Sequence, residues 1–121
     1  MSDKELSWRF VEERVSEDVD IERARHASLE HGIDPITASA GQYIATIATA
    51  LDATTIMEIG TGLGVGTIWL AHACPGAHIT SIDSEMDHHV SVRELLNSAE
   101  IPASRVRLIT EKALDVLPKM N

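Results

Sequence analysis

The residues able to do chemistry gather in one short segment, Ile56-Met57-Glu58-Ile59-Gly60-Thr61-Gly62-Leu63-Gly64-Val65-Gly66, with a second acid downstream at Asp83. An apolar run that breaks into glycines at alternate positions and resumes as Thr67 to Ala71 reads as strand, tight turn and helix. Glycine allows positive φ in such a turn. It also leaves the backbone bare where a ligand lies against it and against the next helix N-terminus. A dinucleotide fingerprint, G-x-G-x-x-G, does not fit: counted from Gly60 the third glycine falls on Val65, and counted from Gly62 on Thr67. Glu58 points the same way, because a carboxylate two residues before the first glycine repels a pyrophosphate and attracts a cation.

A nucleoside that carries positive charge meets both halves of this pattern. S-adenosylmethionine has an ammonium and a sulfonium, so an acid under the glycine turn favours it. Asp83, at the end of a second strand, suits the two ribose hydroxyls of any nucleoside and does not choose among them. Plainer readings stand beside these. Asp83 could be a helix N-cap, Glu58 a buried acid bonding backbone amides, and the glycine run a simple turn.

Other residues carry less. The six histidines include a pair five apart, His26 and His31, and an adjacent pair, His88 and His89, spacings that favour surface positions over metal ligation. No metal site is expected within the chain. Cys74, before Pro75 and Gly76 and without a basic neighbour, reads as a packing residue. Trp8 and Phe10 read as helix packing or as the lining of a substrate mouth, and the acidic stretch from Glu12 to Glu22 as a solvated face.

Two regions must position the segment. Residues 2 to 54 read as three helices. The first opens with a possible Ser2–Glu5 capping box and carries Trp8, Val11 and Val15 on one face; the second starts near Asp18 or Asp20 and stops at Gly32. The third runs from about Ser39 to Leu51, with Tyr43, Ile44, Ile47, Ala48 and Leu51 as one buried stripe. From residue 55 short apolar runs alternate with helices, the pattern of βαβ units: strands at Ile56–Ile59, His78–Ile82 and Val106–Thr110, helices through about Ala73 and from about Glu85 to Ala99, and a last turn from Ala113 to Lys119. Right-handed crossovers put strand one on one flank, strand two beside it and strand three outermost. A doubly wound sheet normally continues beyond strand one. That edge is therefore expected to be open, either because the chain is a fragment or because another molecule covers it.

Composition sets the outer bounds. A length of 121 residues, 44% of them hydrophobic, describes one globular domain, and 10 basic against 19 acidic residues give a net charge of −9, which argues against nucleic acid and anionic membranes as partners. The longest apolar stretch, Ile44 to Leu51, is too short to cross a bilayer. One cysteine and an acidic start without a signal-peptide pattern suggest a reducing, cytoplasmic setting.

IMEIGTGLGVGTIWLA and HITSIDSE resemble motif I and the second-strand acid of class I S-adenosylmethionine-dependent methyltransferases. Together with ITASAGQYIATIATAL and RVRLITEKALDVLP, they are similar to the catechol and caffeoyl-CoA O-methyltransferase family, from about Ser16 to Asn121. The resemblance implies an α/β, Rossmann-like fold truncated to its N-terminal helices and strands one to three, with 1–54 as the helical region and 55–121 as the first half of the cofactor domain. It implies cofactor contacts at Ile36, Thr37, Glu58, Gly60, Thr61, Gly62, Gly64, Gly66, Asp83, Ser84 and Ala113. It also implies methyl transfer to a hydroxyl of a small, aromatic acceptor by the intact parent. The rival reading is a noncatalytic methyltransferase-like module for dimerisation or ligand sensing, and a nicotinamide oxidoreductase is a weaker third.

The sequence departs from the family in three places. Gly66 stands where the family usually has a serine that bonds the cofactor, with Thr67 as a possible substitute. Glu111-Lys112-Ala113 replaces a Gly-Asp-Ala-like segment near the adenine. The chain also stops before the family's metal-binding aspartates, so a divalent cation in the intact parent has no ligands here. The fragment is expected to be inactive, to bind cofactor weakly and to self-associate, as a homodimer or larger.

Overall fold

Side-chain caps start the first three helices of the computed structural model, which describes residues 1–120. Helix α1 (Asp3–Glu12) opens with a complete capping box between Ser2 and Glu5. Helix α2 (Val19–Glu30) starts at Asp18, whose carboxylate accepts from the N–H groups of Asp20 and Ile21, and stops at Gly32 with φ +68°. Helix α3 (Ala38–Ala50) starts at Thr37. Then follow β1 (Thr55–Ile59), α4 (Val65–Ala73), β2 (His78–Asp83), α5 (Met86–Ser98), a 3-10 turn over Ala103–Arg105, β3 (Val106–Thr110) and α6 (Ala113–Val116) with a closing 3-10 turn.

The three strands are parallel in the order β1-β2-β3, with Glu58 opposite Ser81 and Asp83 opposite Thr110. Strand order and element boundaries agree with the sequence reading to within a residue or two, except that α1 ends at Glu12 and leaves Val15, expected on its face, outside the helix. Ile68, Ile79, Val92 and Val106 sit at the centre of the core, and Ile21, Ala24 and Ala48 join it from α2 and α3. Helices and sheet therefore share one core. Arg105 fastens its far side by donating to the carbonyls of Ala71, Cys74 and Ala77. Among the described residues no helix is long and apolar enough to cross a membrane.

Two expectations about helix faces need correction. Helix α3 buries Gly41, Ala45 and Ala48, whereas Tyr43 and Leu51 of the expected stripe are 68% and 74% exposed. The reason is close helix packing. A Cβ on Gly41 would run into the Trp69 indole, so the small residues of α3 face α4 and the large ones turn outward. Helix α1 buries no residue, and Trp8 and Phe10 are exposed. The second edge of β1 is unpaired among the described residues, as the sequence leads one to expect, and Met57 and Ile59 are exposed.

Candidate cofactor site

The turn after β1 begins with Gly60, Gly62 and Gly64, all at positive φ. At Gly60 nothing lies within 4 Å of where a Cβ would stand, so its backbone faces open space. Gly64 differs: it is the left-handed N-cap of α4, and a Cβ there would touch Val92. Its role is packing, and it lies outside both cavities described next. Two cavities meet at this turn. The smaller, about 350 Å³, is bordered by Ile36, Glu58, Gly60, Thr61, Gly62, Gly66 and Asp83. The larger, about 520 Å³, is bordered by Gly60, Asp83, Ser84 and Ala113. Thr37, like Gly64, falls outside both cavities among the expected contacts; its hydroxyl caps α3 by accepting from Ala40 N–H, and it faces a separate groove with Trp8 and Tyr43.

Glu58 is held from two sides. Its Oε1 accepts from the hydroxyls of Thr67 at 2.5 Å and Ser81 at 2.6 Å. Burial pushes its carboxyl up from the ordinary range and the charge of Asp83 adds to that, while the two hydroxyl bonds work the other way. A Cβ on Gly66 would come within 2.7 Å of Glu58 Oε2. Gly66 thus makes room for the acid. The idea that Thr67 replaces a cofactor-binding serine fails on the same geometry, since the Thr67 side chain is buried and spends its proton on Glu58.

Asp83 bridges the end of β2 to the turn. Oδ2 accepts from Gly62 N–H and Oδ1 from Glu85 N–H, each at 2.9 Å. Burial alone would raise its carboxyl, but these two amides and the neighbouring His88 outweigh it and hold the group below the usual aspartate range. The carboxylate is an acceptor with lone pairs left over, and it borders both cavities. It is not the N-cap of α5; Glu85 holds that position without a side-chain bond.

Several residues of the site were not singled out from sequence. Ser81 became visible only once strand register placed it on Glu58, and the bond from Thr67 to the same acid, in place of the cofactor contact considered for it, only once helix phase was known. His88 Nδ1 is buried beside the cavity, 3.5 Å from Asp83 Oδ1, and has no hydrogen-bond partner among the described residues. His89, expected at the surface, is 5% exposed and bonded to Thr61 and Thr110. Adjacent helix positions diverge, so one of the pair had to turn toward the sheet. His72 is likewise engaged, with Nδ1 at 2.6 Å from Asp18 and Nε2 at 3.7 Å from Asp20, tying α4 to the start of α2 away from this site.

No family model matches the chain. Curated relatives do. A Mycobacteroides abscessus protein with the provisional name of O-methyltransferase is 33% identical over 111 residues, which cover 91% of this chain and 52% of that protein. A similarly named Mycobacterium tuberculosis protein is 32% identical over 117 residues, 96% of this chain and 52% of its own length. Among solved structures, the O-methyltransferase TomG from Streptomyces achromogenes, involved in tomaymycin synthesis and crystallised with SAM, superposes with a TM-score of 0.84 at 29% identity, over 100% of this chain and 57% of that one. A Corynebacterium glutamicum protein shares the fold, with a TM-score of 0.87 at 24% identity, covering 99% of this chain and 57% of that one. The chain thus spans about half the length of the curated relatives it matches. In sequence and in Rossmann-like fold, it is a counterpart of the N-terminal half of the S-adenosylmethionine-dependent O-methyltransferases.

Proposed function

We propose that the chain supplies the cofactor-binding half of an enzyme that moves the methyl group of S-adenosylmethionine to a hydroxyl of a small, aromatic acceptor. The observation that carries this is the pair of carboxylates bracketing a bare-backbone turn, Glu58 on the smaller cavity and Asp83 on both. In this reading Glu58 attracts the ammonium and sulfonium charges, while the backbone of Gly60 and Thr61 lies along the methionine portion. Asp83 accepts from the ribose hydroxyls, and Ser84 and Ala113 border the adenine. Bound S-adenosylmethionine supplies an electrophilic methyl; the residues here orient it for in-line attack. Ile36, whose side chain would lie 3.6 Å from a Cβ on Gly66, closes the cavity from the helical side. The acceptor pocket and any ligands for a divalent cation are not assigned to this chain.

Within this proposal residues 1–54 form the helical region and 55–121 the first half of the cofactor domain, Asn121 lying outside the described residues. A cytoplasmic setting suits Cys74, a buried free thiol. The test is isothermal titration with S-adenosylmethionine and, separately, NADH. Heat with the first alone, at weaker than micromolar affinity, is expected, and no methyl transfer by the isolated chain. Binding of NADH without S-adenosylmethionine would overturn the assignment.

A further inference from the structure

A line of short hydrogen bonds runs beneath the glycine turn from the end of β3 to the acid of β1. Thr110 Oγ1 lies 2.8 Å from His89 Nδ1, and His89 Nε2 lies 3.0 Å from Thr61 Oγ1. Thr61 Oγ1 lies 2.6 Å from Ser81 Oγ, which lies 2.6 Å from Glu58 Oε1. Thr61, Ser81 and His89 are all buried, so bulk water offers them no alternative partner.

Each hydroxyl has one proton to give, and a neutral imidazole donates at one nitrogen and accepts at the other. With a neutral imidazole, two proton orders satisfy every bond and leave no hydroxyl proton of the line without a partner. With Glu58 ionised, Ser81 must donate to it, Thr61 to Ser81, His89 from Nε2 to Thr61, and Thr110 to Nδ1. With a proton on Glu58 Oε1 every bond reverses: Glu58 donates to Ser81, Ser81 to Thr61, Thr61 to Nε2, and His89 from Nδ1 to Thr110. Any mixed order leaves two protons or two lone pairs facing each other, or makes one hydroxyl accept twice and strands its own proton inside the protein, which is costly where water cannot compensate.

We propose that His89 is a positioning residue of the cavity, coupled to Glu58 through Ser81 and Thr61 so that the charge on Glu58 selects which ring nitrogen of His89 carries the proton. A cationic ligand against Glu58 then favours the Nε2-protonated form and ties the Thr61 segment of the turn to β2 and β3, whereas an uncharged analogue does neither. That ligand dependence rests on the methyl-donor reading; the coupling itself does not. Asp83, His88 and Arg93 are the charged or titratable groups around His89, and they stay constant in the comparisons below.

Two-bond ¹H–¹⁵N spectra of histidine-labelled protein report the tautomer. At about pH 8.5, well above the ordinary histidine range, the wild type is expected to show Nε2–H. Glu58→Gln, whose amide can donate toward Ser81, should show Nδ1–H. The same tautomer in both overturns the coupling. If that variant does not fold, acid titration of the wild type decides: the Glu58 carboxyl shift and the His89 tautomer change share one midpoint if coupled, and separate midpoints refute the relay. Titrating S-adenosylmethionine and S-adenosylhomocysteine into wild type and His89→Phe separates the two readings. A several-fold loss of preference for the charged ligand is expected in the variant, and an undiminished preference ends the positioning role. Wild-type protein that binds neither ends the methyl-donor reading and leaves the tautomer result to stand.

Discussion

Gly66 and Glu58 form a matched pair. A serine at position 66 has no room while Oε2 stays in place, because the Cβ site is 2.7 Å from that atom and Thr67 and Ser81 hold the other oxygen. Gly66→Ser is therefore expected to lower stability by about 1 kcal/mol, the low end for overpacking since a carboxylate oxygen can give a little. Thermal unfolding measures it, and an unchanged midpoint would show that the carboxylate moves freely. Asp83 gives a pH signature. Its folded carboxyl is depressed below the ordinary 3.8, so its contribution to stability is complete above that value and disappears as pH falls through the lower, folded one. Asp83→Asn should cost about 1.5–3 kcal/mol at neutral pH, the range for hydrogen bonds to a charged group. The difference from wild type should vanish in strong acid; denaturant unfolding at both pH values provides the check.

At the level of elements, helix ends account for what was legible and what was not. Helix α2 stops at Gly32, a visible signal. Helices α3 and α5 end in the same left-handed manner, with φ +51° at Asp52 and +57° at Glu100 and the following amides of Ala53 and Ile101 reaching back to Ala48 and Leu96. Neither residue announces this conformation, which L side chains adopt at a cost. Asp52→Gly and Glu100→Gly should each stabilise the chain by up to about 1 kcal/mol, measured by urea unfolding. Between helices, Glu12 accepts from the free N–H groups of Ala38 and Ser39, so α1 caps α3 across 26 residues of sequence. A stretch that reads as a solvated acidic face thus contains a structural contact. Glu12→Ala should cost about 1 kcal/mol, in line with a lost N-cap, and loosen hydrogen-exchange protection at the start of α3.

For the whole molecule, the unpaired edge of β1 dominates. Met57, Ile59, Tyr43, Ile47 and Leu51 are exposed on β1 and α3, and strand edges with apolar neighbours invite pairing. The net charge of −9 opposes close approach at low salt. Self-association that increases with salt is the expected result in light scattering, and Met57→Lys together with Ile59→Lys should weaken it. A mass near 13.2 kDa at high concentration and high salt would contradict it.

Local sequence determined the order of elements, the parallel βαβ pattern, the glycine turn and the two acids beside it. Each of these depends on neighbours a few residues away: hydrophobic period, caps, and glycines where φ must be positive. Tertiary packing decided the rest. The face α3 buries was set by the close fit of Gly41 on Trp69, the burial of His89 by its docking on β3, and the hold on Glu58 by a hydroxyl from the next strand and another from the next helix. Those contacts join residues distant along the chain, and their energies depend on distances of a few ångströms that no periodicity encodes.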